Sequence, residues 1–128
     1  MNFLIIDDDP IKVEKFVEHL DPTDTFKVFQ SYNSGLKELI GNRQSYDCLI
    51  LDMNFPMFDN GKIEVNTGIV VIRELERRRI YIPIAIYSSK YVDMANNIAV
   101  FDYIVFDMAD SMESKVDLLK LKFNLWSY

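Results

Sequence analysis

Three aspartates stand where short apolar runs stop. Asp7 and Asp8 follow Phe3-Leu4-Ile5-Ile6, and Asp52 follows Cys48-Leu49-Ile50-Leu51. Carboxylates brought close together repel, and ionising all of them without a counter-ion is costly. A hard divalent cation relieves this. Mg²⁺ takes oxygen ligands, keeps several waters, and is commonly held by one or two carboxylates plus a phosphate. Such a site attracts a phosphoryl donor, and a carboxylate such as Asp52 can act as the nucleophile. The plainer alternative is that Asp7, Asp8 and Asp9 only cap the helix that follows. Asp9 suits that role, with Pro10 at the first helical position.

Whether the three acids meet depends on the elements that carry them. Continuous apolar runs suit strands buried on both faces. They occur at Phe3–Ile6, Cys48–Leu51, Tyr81–Tyr87 and Tyr103–Phe106, and Phe26–Tyr32, rich in aromatic and β-favouring residues, reads as a further strand. Helical periodicity lies between and after them. Val13, Phe16, Val17 and Leu20 form one face. Leu36, Leu39 and Ile40 form a second, stopped by Gly41-Asn42. Gly68, Val71, Ile72 and Leu75 form a third, capped by Asn66 or Thr67. Tyr91, Met94, Ala95 and Ile98 form a fourth. Met112, Val116, Leu119, Phe123 and Trp126 form a fifth, opened by Asp110 and Glu113 in a capping-box-like spacing. Five βα units in series predict an α/β protein with a parallel sheet between two layers of helices. In the strand order 2-1-3-4-5, the first and third strands are neighbours, and ligands gather beyond their carboxyl ends. Asp7, Asp8 and Asp52 then share one rim.

Length and composition narrow the classes. The 128 residues, 49% of them hydrophobic, suit one domain spanning 1–128. The formal net charge of -6 argues against direct nucleic-acid binding, which needs clustered cations. Arg77-Arg78-Arg79 reads as a helix end. Cys48, the only cysteine, is a small buried hydrophobe, and His19, the only histidine, is structural. No signal peptide opens the chain and no apolar stretch reaches the ~18 residues of a membrane span, so a cytoplasmic protein is expected.

Four segments together resemble the CheY-like receiver domains of two-component response regulators. They are Leu4-Ile5-Ile6-Asp7-Asp8-Asp9-Pro10, Leu49 through Pro56, Ile82 through Ser89, and Asp102-Tyr103-Ile104-Val105. The resemblance spans essentially the whole chain and implies a flavodoxin-like (βα)5 fold. It implies that Asp52 is the phosphoacceptor. It also implies that Asp7, Asp8 and Asp52 hold Mg²⁺, helped by the main-chain carbonyl of Asn54. Pro56 matches the loop proline, Ser88 the hydroxyl that bonds the phosphoryl group, Ser89 the small residue beside it, and Tyr103 the aromatic switch. The implied partner is a histidine kinase or phosphotransfer protein. A homodimer through the fourth helix, fifth strand and fifth helix is also implied. Leu118, Leu121 and Leu125 add an apolar stripe on that last helix.

Two departures stand out. The family lysine and proline at the end of the fifth strand read Phe106 and Asp107 here. Phenylalanine offers no donor to a phosphoryl oxygen. The usual cis peptide is also disfavoured, since a non-proline cis bond costs about 2.5–4 kcal/mol. Lys90 and Lys62 are the substitutes the sequence suggests, though a solvated Lys90 is the simpler reading. The second departure is the long segment Asn54–Asn66, which delays the matching glycine to Gly68. The leading expectation is a phosphoryl-accepting receiver, not an enzyme in its own right. The alternative is a pseudo-receiver that works as an interaction module without phosphorylation. A haloacid-dehalogenase-type phosphatase, with Asp7 as nucleophile and Asp9 as acid, fits less well, because Pro10-Ile11 does not continue that pattern.

Overall fold

The computed structural model describes residues 1–88, 100–105 and 112–126, with 100–105, 125 and 126 described by their backbone. The elements are β1 (Asn2–Ile6), α1 (Pro10–Val17), β2 (Thr25–Phe29), α2 (Tyr32–Asn42), β3 (Cys48–Leu51), β4 (Phe55–Pro56) and β5 (Ile63–Glu64). They continue with α3 (Thr67–Arg77), β6 (Ile84–Ser88), β7 (Val100–Val105) and α4 (Met112–Trp126). A 3₁₀ turn, Arg43–Ser45, follows α2.

Successive side chains of a strand point to opposite faces, and here both faces are dry. Leu4 and Ile6 of β1, with Leu49 and Leu51 of β3, pack against Leu36 and Leu39 of α2 and Val71, Ile72 and Leu75 of α3. Phe3, Ile5, Cys48 and Ile50 pack on the other side with Val13 and Phe16 of α1 and Val116 and Leu119 of α4. Burying such a side chain contributes about 1.5–3 kcal/mol, so these continuous runs can lie only in a central layer. The five-stranded sheet has the order β2-β1-β3-β6-β7, all pairs parallel. This is the expected order 2-1-3-4-5. The fourth helical segment, Tyr91–Ile98, lies outside the described residues, as do the Asp110 cap and the side chain of Trp126.

Several boundaries differ from the sequence reading. The second strand ends at Phe29, and Tyr32 opens α2, because Ser31 turns the chain by capping the amide of Ser34. β2 is the sheet's edge, so Phe26 and Val28 stay exposed despite their apolar character. α1 ends at Val17, leaving Leu20 in the loop beyond it. α2 runs through Gly41 to Asn42. β6 begins at Ile84 and β7 at Val100. Arg77 ends α3, and both Arg77 and Arg78 pair with Glu74 on the same helix, as a helix end should. Cys48 is fully buried.

A polar tie fastens α4 to the first loop. Lys120 Nζ pairs with buried Asp24 and lies 2.9 Å from Asp21 Oδ2, and the amino group of Met1 is 2.8 Å from Asp24 Oδ1. Burial raises the Asp24 pKa, but hydrogen bonds from Lys120, the amino group and the Asp21 amide outweigh it, bringing it to about 2. A carboxylate depressed in this way stabilises the fold above its unfolded value near 4, and that contribution fades as pH falls towards 2. Asp24→Asn is therefore expected to lower stability by about 1–3 kcal/mol at neutral pH. Its deficit relative to wild type should shrink in urea titrations between about pH 4 and pH 2.

Candidate functional site

Backbone hydrogen bonds set the acidic rim. The amide of Asp7 donates to Phe29 O of β2 at 3.0 Å, and the amide of Asp52 donates to Ile6 O of β1 at 3.0 Å. Both residues thus continue the ladder one step past the strand ends. β1 and β3 are adjacent, with Ile6 opposite Leu51. One carboxylate oxygen from each of Asp7, Asp8 and Asp52 falls within 4.8 Å of the others. Asp7 and Asp52 are buried and Asp8 is partly exposed. Asp9 stands apart from the cluster as the α1 cap, its Oδ1 accepting from the amides of Ile11 and Lys12 at 3.0 and 3.3 Å.

A fourth charged group completes the rim. Lys12, on the first turn of α1, turns inward and is buried. Its Nζ lies 2.8 Å from Asp52 Oδ1, 2.9 Å from Asp7 Oδ2 and 3.1 Å from the carbonyl of Tyr87. The Tyr87 ring centroid is 5.2 Å from Nζ, close enough for a cation–π contact. The Tyr87 hydroxyl donates back to Lys12 O at 2.9 Å. Tyr87 therefore grips this lysine at both ends. Motif spacing does not mark Lys12. The signal in the sequence is helical geometry: Lys12 lies one turn before Phe16, beside the buried stripe, and a lysine directed inward must find partners. Of the substitutes considered, Lys62 sits exposed in the long loop, and Lys90 lies outside the described residues.

The electrostatics follow. Burial pushes the Asp7 carboxyl up, Asp52 pushes it further, and Lys12 with the Asp9 amide pulls it part of the way back, leaving it at about 7. Burial likewise raises Asp8. For Lys12, burial opposes the charge, but the attraction of Asp7 and then Asp52 outweighs it, so its pKa ends above the ordinary lysine value. Asp7 Oδ1 accepts from the Asp9 amide at 3.0 Å and Asp52 Oδ1 from the Met53 amide at 2.8 Å. Asp7 Oδ2 has the Lys12 ammonium, 2.9 Å away, as its one partner. Three carboxylate oxygens this close together are a donor set that fits a hard divalent cation such as Mg²⁺.

The long segment after Asp52 is a small antiparallel ribbon rather than an irregular loop. Phe55 pairs with Glu64 and Pro56 with Ile63. A tight turn closes it, with the Gly61 amide donating to Phe58 O at 2.9 Å and Asn60 in the left-handed region that Asn tolerates. Phe55 is buried, while Phe58, Ile63 and Val65 are exposed. Thr67 Oγ1 donates to Phe55 O at 2.6 Å, and Asn54 Oδ1 accepts from the Asn66 amide at 2.9 Å. Asn66 itself has a left-handed backbone and makes no side-chain cap bond to α3. Gly68 seats α3 against the end of β3, its amide donating to Met53 O at 2.9 Å. Ser88 is buried at the end of β6, opposite Val105. Tyr103 pairs with Ile86 through the backbone of β7. The Tyr103 side chain, Ser89, Phe106 and Asp107 lie outside the described residues.

The fold and rim define a class. No family profile and no curated protein sequence matches this chain. Solved structures do. One is the N-terminal domain of a response regulator/sensory box/GGDEF three-domain protein from Carboxydothermus hydrogenoformans. It aligns with a TM-score of 0.75 at 11% identity, over 99% of this chain and 97% of that one. A response regulator receiver domain from Clostridium thermocellum aligns at 0.68 with 19% identity, over 98% and 96%. A CheY-like receiver domain from Methanospirillum hungatei aligns at 0.71 with 14% identity, over 96% and 93%. The fold is that of response regulator receiver domains.

Gly68 gives a test of how tightly the rim is built. A Cβ there would overlap the carbonyl oxygen of Asp52 and lie 2.5 Å from Met53 Cε, whereas one at Gly41 would meet nothing within 4 Å. Gly68→Ala is expected to cost about 1–3 kcal/mol and to shift the Asp52 and Met53 amide resonances. Gly41→Ala should leave those resonances in place and gain about 0.5–1 kcal/mol. Urea denaturation and amide spectra of the two variants check both.

Proposed function

We propose that this chain is a phosphoryl-accepting receiver module with Asp52 as the acceptor. The observation that carries the reading is the Asp52 carboxylate, fixed at the carboxyl rim of a receiver fold beside Asp7 and Asp8. In the proposed step an Asp52 oxygen attacks the phosphorus of a phosphohistidine on a kinase or phosphotransfer partner. A P–O bond forms, the P–N bond breaks, and the leaving imidazole takes a proton from solvent. Asp7, Asp8, Asp52 and the Asn54 carbonyl are the proposed holders of Mg²⁺, which when bound would offset the charge on the transferring phosphoryl group. Ser88 and Tyr103 are the proposed switch pair. The proposed output is a change in a partner or dimer surface that includes α4, where Leu118 and Leu121 are exposed. The proposed place of work is the cytoplasm; among the described residues no helix is long and apolar enough to cross a membrane.

A second reading has its own observation. Lys12 sits on the acceptor oxygen, and Phe106 replaces the family lysine, which together favour a module that signals without phosphorylation. Incubation with acetyl phosphate and Mg²⁺, followed by intact-mass spectrometry, separates the two. The first reading expects a phosphoryl adduct that disappears in Asp52→Ala and on chelation of the metal. Unmodified wild-type protein would leave the second reading standing.

A further inference from the structure

The ammonium of Lys12 stands between the Asp7 and Asp52 carboxylates, two of the three groups that would hold a divalent ion. It is within ion-pair distance of two of the three acidic groups, its side chain is 5% exposed, and Tyr87 fixes it through a carbonyl, a ring face and a hydroxyl. A surface lysine would swing away from an arriving cation at little cost. This one has a built seat, and its replacement by a bulkier hydrated ion must break several contacts.

We propose that Lys12 is a resident counter-ion which competes with divalent metal for Asp7 and Asp52. This deepens the receiver reading by naming what regulates its metal site, and it rests on that reading's assignment of the acidic cluster as a cation site. With Lys12 in place, the cluster is already partly neutralised, and a second cation meets both a reduced negative field and a like charge nearby. Without Lys12, three carboxylates face one another with no cation of their own, which penalises the metal-free fold and favours any hard ion that enters. A purely structural lysine, one that only fills space beside Tyr87, would have no influence on metal affinity.

Mn²⁺ serves as the probe, because its free and bound forms are counted directly by electron paramagnetic resonance. Lys12→Met keeps the length of the stem and removes the charge. Lys12→Gln is the second variant should the first fold poorly, and Lys12→Arg retains a cation. The expected result is Mn²⁺ affinity at least tenfold higher in Lys12→Met or Lys12→Gln than in wild type, with Lys12→Arg close to wild type. Thermal melts should show the uncharged variants less stable than wild type without metal and more strongly raised by Mn²⁺, since a ligand that binds only the folded state stabilises it. Equal or weaker Mn²⁺ binding in the uncharged variants overturns the inference, as does an absence of binding in all of them. The acetyl phosphate adduct on wild-type Asp52 is a separate measurement that bears on the receiver reading alone. A gain in Mn²⁺ affinity with no adduct would sink the receiver reading and leave the resident counter-ion intact, whereas an adduct with no gain would do the reverse.

Discussion

The buried ion cluster of Lys12, Asp7 and Asp52 is the constraint around which the upper half of the molecule is arranged. Two carboxylates end adjacent parallel strands because β1 and β3 pair in register. Their burial would force one to stay protonated unless a cation stood between them. Pairs of this kind gain little net stability over a well-packed apolar replacement, yet losing one partner costs about 3–5 kcal/mol because a charge is stranded. That asymmetry makes the position of α1 exacting. Asp9 must cap the helix where it does, so that the first turn delivers the lysine stem over the rim and Tyr87 can receive it.

Backbone contacts fix the other side of Asp52. The chain leaves β3, forms the β4–β5 ribbon and returns into α3 with Gly68 directly against the main chain of Asp52. Thr67 and Asn54 close the base of the ribbon by side-chain hydrogen bonds, so its added length is absorbed without loosening the start of α3. Asp52 is thus held by the ladder from β1 on one side and by a glycine contact on the other.

How much of this is legible in the sequence depends on whether the determining contact is local. The central strands are plain, because Phe3–Ile6 and Cys48–Leu51 are apolar at every position and only a two-sided burial accommodates that. The Asp9-Pro10 start of α1 is a local signal, and the helix begins there. Phe26–Tyr32 misleads at its end, since composition says nothing about edge placement and the local Ser31 cap is masked by the aromatic residues on either side of it. The ribbon at 55–64 lacks alternation long enough to register. Its two-residue strands are stabilised by Thr67 and Asn54, and neither role shows in spacing. The three aspartates are visible as strand ends. Lys12 is not, because a lysine on an amphipathic helix normally faces water. Its inward turn is decided by the charge of Asp52 on another strand and by Tyr87 across the sheet.

The Asp59 carboxylate has a consequence of its own. One of its oxygens accepts from Ser31 Oγ at 2.7 Å and from Ser34 Oγ at 2.9 Å, and the Asn33 amide reaches Met57 O at 2.9 Å. Three bonds therefore rivet the ribbon's tip to the leading turn of α2, far along the chain from the segment after Asp52 that carries its base. Any shear between that helix and the segment after Asp52 would have to break all three together, beside an exposed apolar edge made of Phe58, Ile63 and Val65.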